Sequence, residues 1–85
     1  DRRLTPAAAA KIFELSAQIT NVQAAVHRDE PEVAAQEFKR VVDLHQSLLS
    51  LLTDATTRDA VTKRVVALQR FLELTDAPPF EEETQ

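Results

Sequence analysis

In the first third of the chain the apolar residues recur at intervals of three, four, three and four: Ile12, Leu15, Ile19, Val22 and Val26. An α-helix turns once every 3.6 residues, so this alternation gathers all five on one stripe while Lys11, Glu14, Gln18 and Gln23 look elsewhere. The pattern returns at Ala34, Phe38, Val41, His45, Leu48 and Leu52, widened by Val42, Leu44, Leu49 and Leu51. It returns a third time at Val61, Val65, Leu68 and Leu72, where Phe71 broadens the face. Each stripe is too apolar to face water and must be covered by another.

The breaks between the stripes carry helix punctuation. Thr5-Pro6 starts the first helix, because a hydroxyl at the N-cap can accept from an orphan N–H and Pro at the first helical position has no donor to waste. His27-Arg28-Asp29-Glu30-Pro31 places an acidic residue just before a Pro and predicts a tight connection into a second helix. Thr53-Asp54-Ala55-Thr56-Thr57 is a cluster of capping residues, and Thr56 with Asp59 forms a variant of the capping box ahead of a third helix. Pro78-Pro79 forbids that helix from continuing, and it is expected to stop near Thr75.

These signals predict helices over about residues 6–27, 31–53 and 57–75, roughly 33, 34 and 28 Å long at 1.5 Å per residue. Short connections make sequential helices antiparallel neighbours, so the expected fold is all-α: a single up-down-up three-helix bundle over residues 1–77, with the second and most apolar helix at its centre. There is no internal repeat. Residues 78–85 read as a disordered acidic tail, with Phe80 part of its solvated end.

Composition removes several classes of chemistry. The 85 residues contain no Cys, Trp, Tyr, Met or Gly, which excludes disulfides, thiolate metal sites, thiol nucleophiles and glycine-rich phosphate loops. The two histidines, His27 and His45, lie on different helices with no partner at metal-ligand spacing. His45 shares the apolar stripe of its helix and reads as a boundary histidine bonded to a carbonyl or a hydroxyl. Ser16, Ser47 and Ser50 sit inside helices without a His placed to act as base, and paired-carboxylate catalysis needs a cleft that so small a bundle can hardly form. No enzyme, cofactor or metal is expected.

The net charge is −4, and Glu81, Glu82 and Glu83 account for three of those charges, leaving about −1 for the body. Nucleic acid is therefore not an expected partner. No apolar run approaches the roughly 20 residues that span a bilayer, and the first residues do not resemble a signal peptide, so an intracellular, cytoplasmic setting is expected. The start at Asp1 reads as a domain excised from something longer. Basic residues at Lys39, Arg40, Lys63, Arg64 and Arg70 are interleaved with Asp43, Asp54 and Asp59, a mixed-sign surface that suits contact with a folded protein better than with a phosphate backbone. The expected role is a protein-binding module, monomeric in isolation. The alternative is a structural or oligomerising segment of a larger assembly, since a three-four stripe can also serve as a coiled-coil seam.

From Ile19 to Asp54 the residue pattern resembles the BAG domain, the three-helix module by which a family of co-chaperones grips the ATPase domain of Hsp70. Ile19, Val22, Ala25 and Val26 look like the end of that family's first helix, and Glu37-Phe38, Val41, Asp43, Leu49, Leu52 and Asp54 look like its second. Leu68-Gln69, Phe71-Leu72 and Leu74 are similar to its third. The resemblance implies a folded Hsp70 partner held by Asp43, Asp54 and Gln69 together with a basic residue, for which Lys63 and Arg64 are the candidates here although they lie nearer the Gln than the family's pair. The family's Arg-Lys pair lies about two turns ahead of the Gln, where Val61 stands here, and the connection into the third helix is shorter; both departures bear on nucleotide exchange more than on the fold. The stretch from Leu4 to Ile19 is also similar to a helix in the carboxy-terminal domain of vesicle-coat outer-cage proteins.

Overall fold

A computed structural model describes residues 5–75 of the chain. The expected tail with Phe80 lies outside the described residues. Three helices follow in order, α1 (Pro6–His27), α2 (Pro31–Leu51) and α3 (Ala55–Leu74), with no strand among the described residues.

α1 begins as its first residues require. The Thr5 hydroxyl accepts from the Ala8 N–H at 3.1 Å, and Pro6 opens the helix. Its far end needs a residue in the left-handed region, and without glycine the chain puts Asp29 there, at φ 60°. The Asp29 N–H then donates to the Val26 carbonyl and the Glu30 N–H to the Ala25 carbonyl, each at 2.9 Å. This paired 5→2 and 6→1 closure is a Schellman motif, and Pro31 immediately restarts the chain as α2.

The second corner differs from the sequence expectation by two residues on each side. α2 stops at Leu51 rather than 53, and α3 starts at Ala55 rather than 57. The physical reason is that Asp54, not Thr56, caps α3: its carboxylate accepts from the Thr57 N–H at 2.9 Å and the Thr57 hydroxyl at 2.7 Å. A carboxylate at the N-cap also faces the positive end of the helix dipole. Arg58, one turn into α3, reaches back and donates to the carbonyls of Leu49 and Leu52, closing the open end of α2.

The three stripes meet in one core. Leu15, Val22, Ala25, Ala34, Val41, Leu48 and Leu72 have no exposed surface, and Phe38 is only 1 % exposed. Ile19, Leu52, Val61, Val65 and Leu68 complete the same cluster, with Ile12, Val26, Val42, Leu44 and Phe71 packed at its edges. The all-α three-helix arrangement is thus as the apolar spacing predicted. α1 and α2 form the more intimate pair. Ala25 and Ala34, on either side of their connection, are buried and small enough to let the two backbones approach.

Gln18 departs from its expected place outside the stripe: it is buried between α1 and α2, only 9 % exposed. Its amide donates to both the carbonyl (3.1 Å) and the carboxylate of Glu37 on α2, and its own oxygen accepts from Asn21 at 3.2 Å. A buried amide with partners on both sides is tolerated because its hydrogen-bonding capacity is used.

Two substitutions test this account by urea unfolding. Phe38→Ala should cost about 3–5 kcal/mol, the range for removing a large aromatic from a filled core. Asp29→Gly should instead raise stability by about 1 kcal/mol, because a non-glycine residue in the left-handed region carries roughly that penalty.

Candidate protein-binding surfaces

α2 is flanked on both sides, and its outward residues divide accordingly. On the α1 side a groove is lined by Glu14, Ala17, Gln18, Arg40, Asp43 and Leu44. Asp43, anticipated as a partner contact, stands exposed on this rim beside the exposed Arg40. The Gln18–Glu37 bridge belongs to the same helix pair, so the groove joins α1 and α2 through a polar contact, with charges of both signs on its rim.

On the α3 side the His45 ring and the Thr62 hydroxyl share a hydrogen bond of 3.0 Å, its direction set by the ring tautomer. Burial holds the His45 pKa below its usual 6.5, and the positive charge of Arg58 lowers it further. The neutral ring is therefore the form suited to the folded protein, as its place on the apolar stripe implied.

The remaining anticipated residues lie on or before α3. Lys63 and Arg64 are exposed, and Lys63 pairs with Asp59 one turn earlier at 3.2 Å. Gln69 is half-buried. Successive helical residues are about 100° apart, so Lys63 and Arg64 diverge from each other and from Gln69. Asp54 is committed to capping, and its substitution would disturb the start of α3 before any partner was added. Asp43 thus lies on the α1–α2 groove while Lys63, Arg64 and Gln69 belong to α3, and no contact joins the two sets among the described hydrogen bonds and ion pairs.

Exposed apolar residues were not anticipated as a site. Phe13 on α1 is 77 % exposed, and Leu51 and Val66 are also open to solvent. Phe13 was legible in principle, because it falls outside the three-four stripe of its own helix. Among the described residues no group of three His, Cys, Asp or Glu side chains could hold a metal ion, and no helix is long and apolar enough to cross a membrane.

The chain matches no family model, no curated protein and no solved structure.

The His45 environment generates a pH prediction. The unfolded chain binds a proton at His45 near 6.5 and the folded chain only at lower pH, so between those values the unfolded state carries more protons. The contribution is fully present above 6.5 and is lost as the pH falls through the lower, folded value. Melting at pH 7.5 and 5.5 should show a drop that His45→Gln reduces; an unchanged drop in that variant would assign the effect to other groups.

Proposed function

We propose that this chain is a helical protein-interaction module that engages a folded partner through the outward faces of α2 and α3, with the ATPase domain of Hsp70 as the partner to test first. The observation that carries the reading is the closure of all three apolar stripes into one intramolecular core. Burying them internally leaves Asp43, Lys63 and Arg64 exposed on the outside, available for oriented contacts. Charged and amide groups of this kind contribute specificity and association rate more than raw affinity.

The choice of Hsp70 rests on the BAG-like pattern of Glu37-Phe38, Val41, Asp43, Leu49 and Leu52 on α2 and Leu68-Gln69 on α3. A bundle that binds one conformation of an ATPase domain more tightly than another shifts that domain's nucleotide affinity by the difference, and needs no chemistry of its own. The open divergence of Lys63, Arg64 and Gln69 favours a partner that wraps α3 over one that presses a flat face against it.

Calorimetric titration against an Hsp70 ATPase domain tests the reading. The wild-type chain should bind, and Asp43→Ala and Gln69→Ala should each weaken binding by about 1–3 kcal/mol as a desolvated polar contact is lost. Failure of the wild type to bind at high micromolar concentration would remove Hsp70 as the partner.

A further inference from the structure

The outward side of α1 carries a second regular spacing that the bundle does not use. Ala10, Phe13, Ala17, Thr20, Ala24 and His27 follow one another at three, four, three, four and three residues. They lie on the opposite side of the helix from Leu15 and Val22, and none is Asp, Glu, Lys or Arg. Ala24 is half-buried and the other five are exposed, Phe13 most conspicuously. The outer side is uncharged and carries a large exposed aromatic among small residues, a surface that gains by being covered as the inner stripe is.

A hole of matching geometry lies further along the same face. Thr20, Gln23, Ala24 and His27 line an open cleft, and Phe71 of α3 walls it on one side. Those four α1 positions stand at i, i+3, i+4 and i+7, the corners of the hole that receives one side chain from a facing helix in knobs-into-holes packing. Phe13 of the same molecule cannot fill it, being eleven residues from Ala24, about 16 Å along the axis. Phe13 of a second molecule running the opposite way can.

Charge supports the same register. Setting Phe13 against Ala24 of an antiparallel second copy also sets Ala10 against His27, where a large residue again meets a small one, and Ala17 against Thr20, where two small residues let the helices approach. Flanking this seam, Glu14 then faces Arg28 of the other copy, and the two-fold relation makes the pair twice. Within one chain Glu14 lies 3.6 Å from Lys11 and Arg28 lies 2.8 Å from Glu30, all of them on open surface. Such exposed pairs are weak enough to be shared or exchanged on docking.

We propose that α1 is a self-association helix: a second copy of this chain docks antiparallel on its outer face, and Phe13 of each molecule enters the cleft beside Phe71 of the other. The contact is isologous, so it closes at two copies and does not propagate. It is centred on the outer face of α1 rather than on α2 and α3, it meets the groove that holds Asp43 only at Glu14 and Ala17, and its test reads self-association, not partner binding.

Sedimentation equilibrium of the 85-residue chain from micromolar to millimolar concentration tests the proposal. The expected result is a monomer–dimer equilibrium. Ala17→Glu, a change at an exposed helical position, should abolish the dimer while circular dichroism shows unchanged helix. Glu14→Arg and Arg28→Glu should each weaken it by about tenfold, through two lost pairs and new like-charge contacts. The double variant should restore it, which a merely sticky surface would not do. A monomer at every concentration, a dimer indifferent to Ala17→Glu, or a double variant no stronger than the singles would each overturn the proposal.

Discussion

Everything in this molecule depends on one mutual burial: the stripes of α1, α2 and α3 exclude water only when all three are present. Leu15, Phe38, Leu48 and Leu72 come from three different helices, and none is more than 1 % exposed. Each helix draws most of its stability from packing its apolar face against the others rather than from its own propensity. A small domain also buries a modest share of its unfolded surface, so each core side chain carries a large fraction of the net stability.

Closing such a core requires two sharp reversals, and a chain without glycine must make them with side chains. At the first, Asp29 accepts a left-handed backbone so that the amides of Asp29 and Glu30 can close the last turn of α1. At the second, Asp54 caps the incoming helix and Arg58 caps the outgoing one, so the two charges secure both sides of the same corner. Two polar links then tie α2 to its neighbours, Gln18 to Glu37 on one side and His45 to Thr62 on the other. Apolar stripes of similar spacing can slide past one another at little cost, whereas directional bonds select one register.

The functional reading follows from what this closure leaves outside. The rim of α2 and the outer surface of α3 present charges and amides, while α1 presents Phe13 in a run of small uncharged residues. Surfaces of the first kind favour specificity, and surfaces of the second kind gain from apolar burial. The two surfaces adjoin at the α1–α2 groove, which Glu14 and Ala17 of α1 line together with Arg40 and Asp43 of α2.

Much of the fold was legible from residue spacing, because helical period and proline placement are local properties. Ala34, Phe38, Val41, Leu48, Val61, Val65, Leu68 and Leu72 were all assignable to the inner faces from their intervals. Legibility failed where a distant group decided the outcome. Gln18 counted as outward until Glu37 supplied a partner for its buried amide, and the ends at the second corner moved once Asp54 and Arg58 could choose which groups to cap. The outer spacing of α1 is hard to read from sequence, because alanine is nearly silent in a hydrophobic pattern and gains meaning only when one side of a helix is known to be covered.

Three helices, the approximate start of each and the stripe of each that seeks cover all follow from residue order alone. Which polar groups are buried in pairs, how the candidate contacts divide between the α1–α2 groove and α3, and which apolar side chains remain in water depend on how the helices pack. The reason is physical: periodicity is a property of neighbours along the chain, whereas burial and hydrogen-bond satisfaction belong to groups brought together from far apart in it.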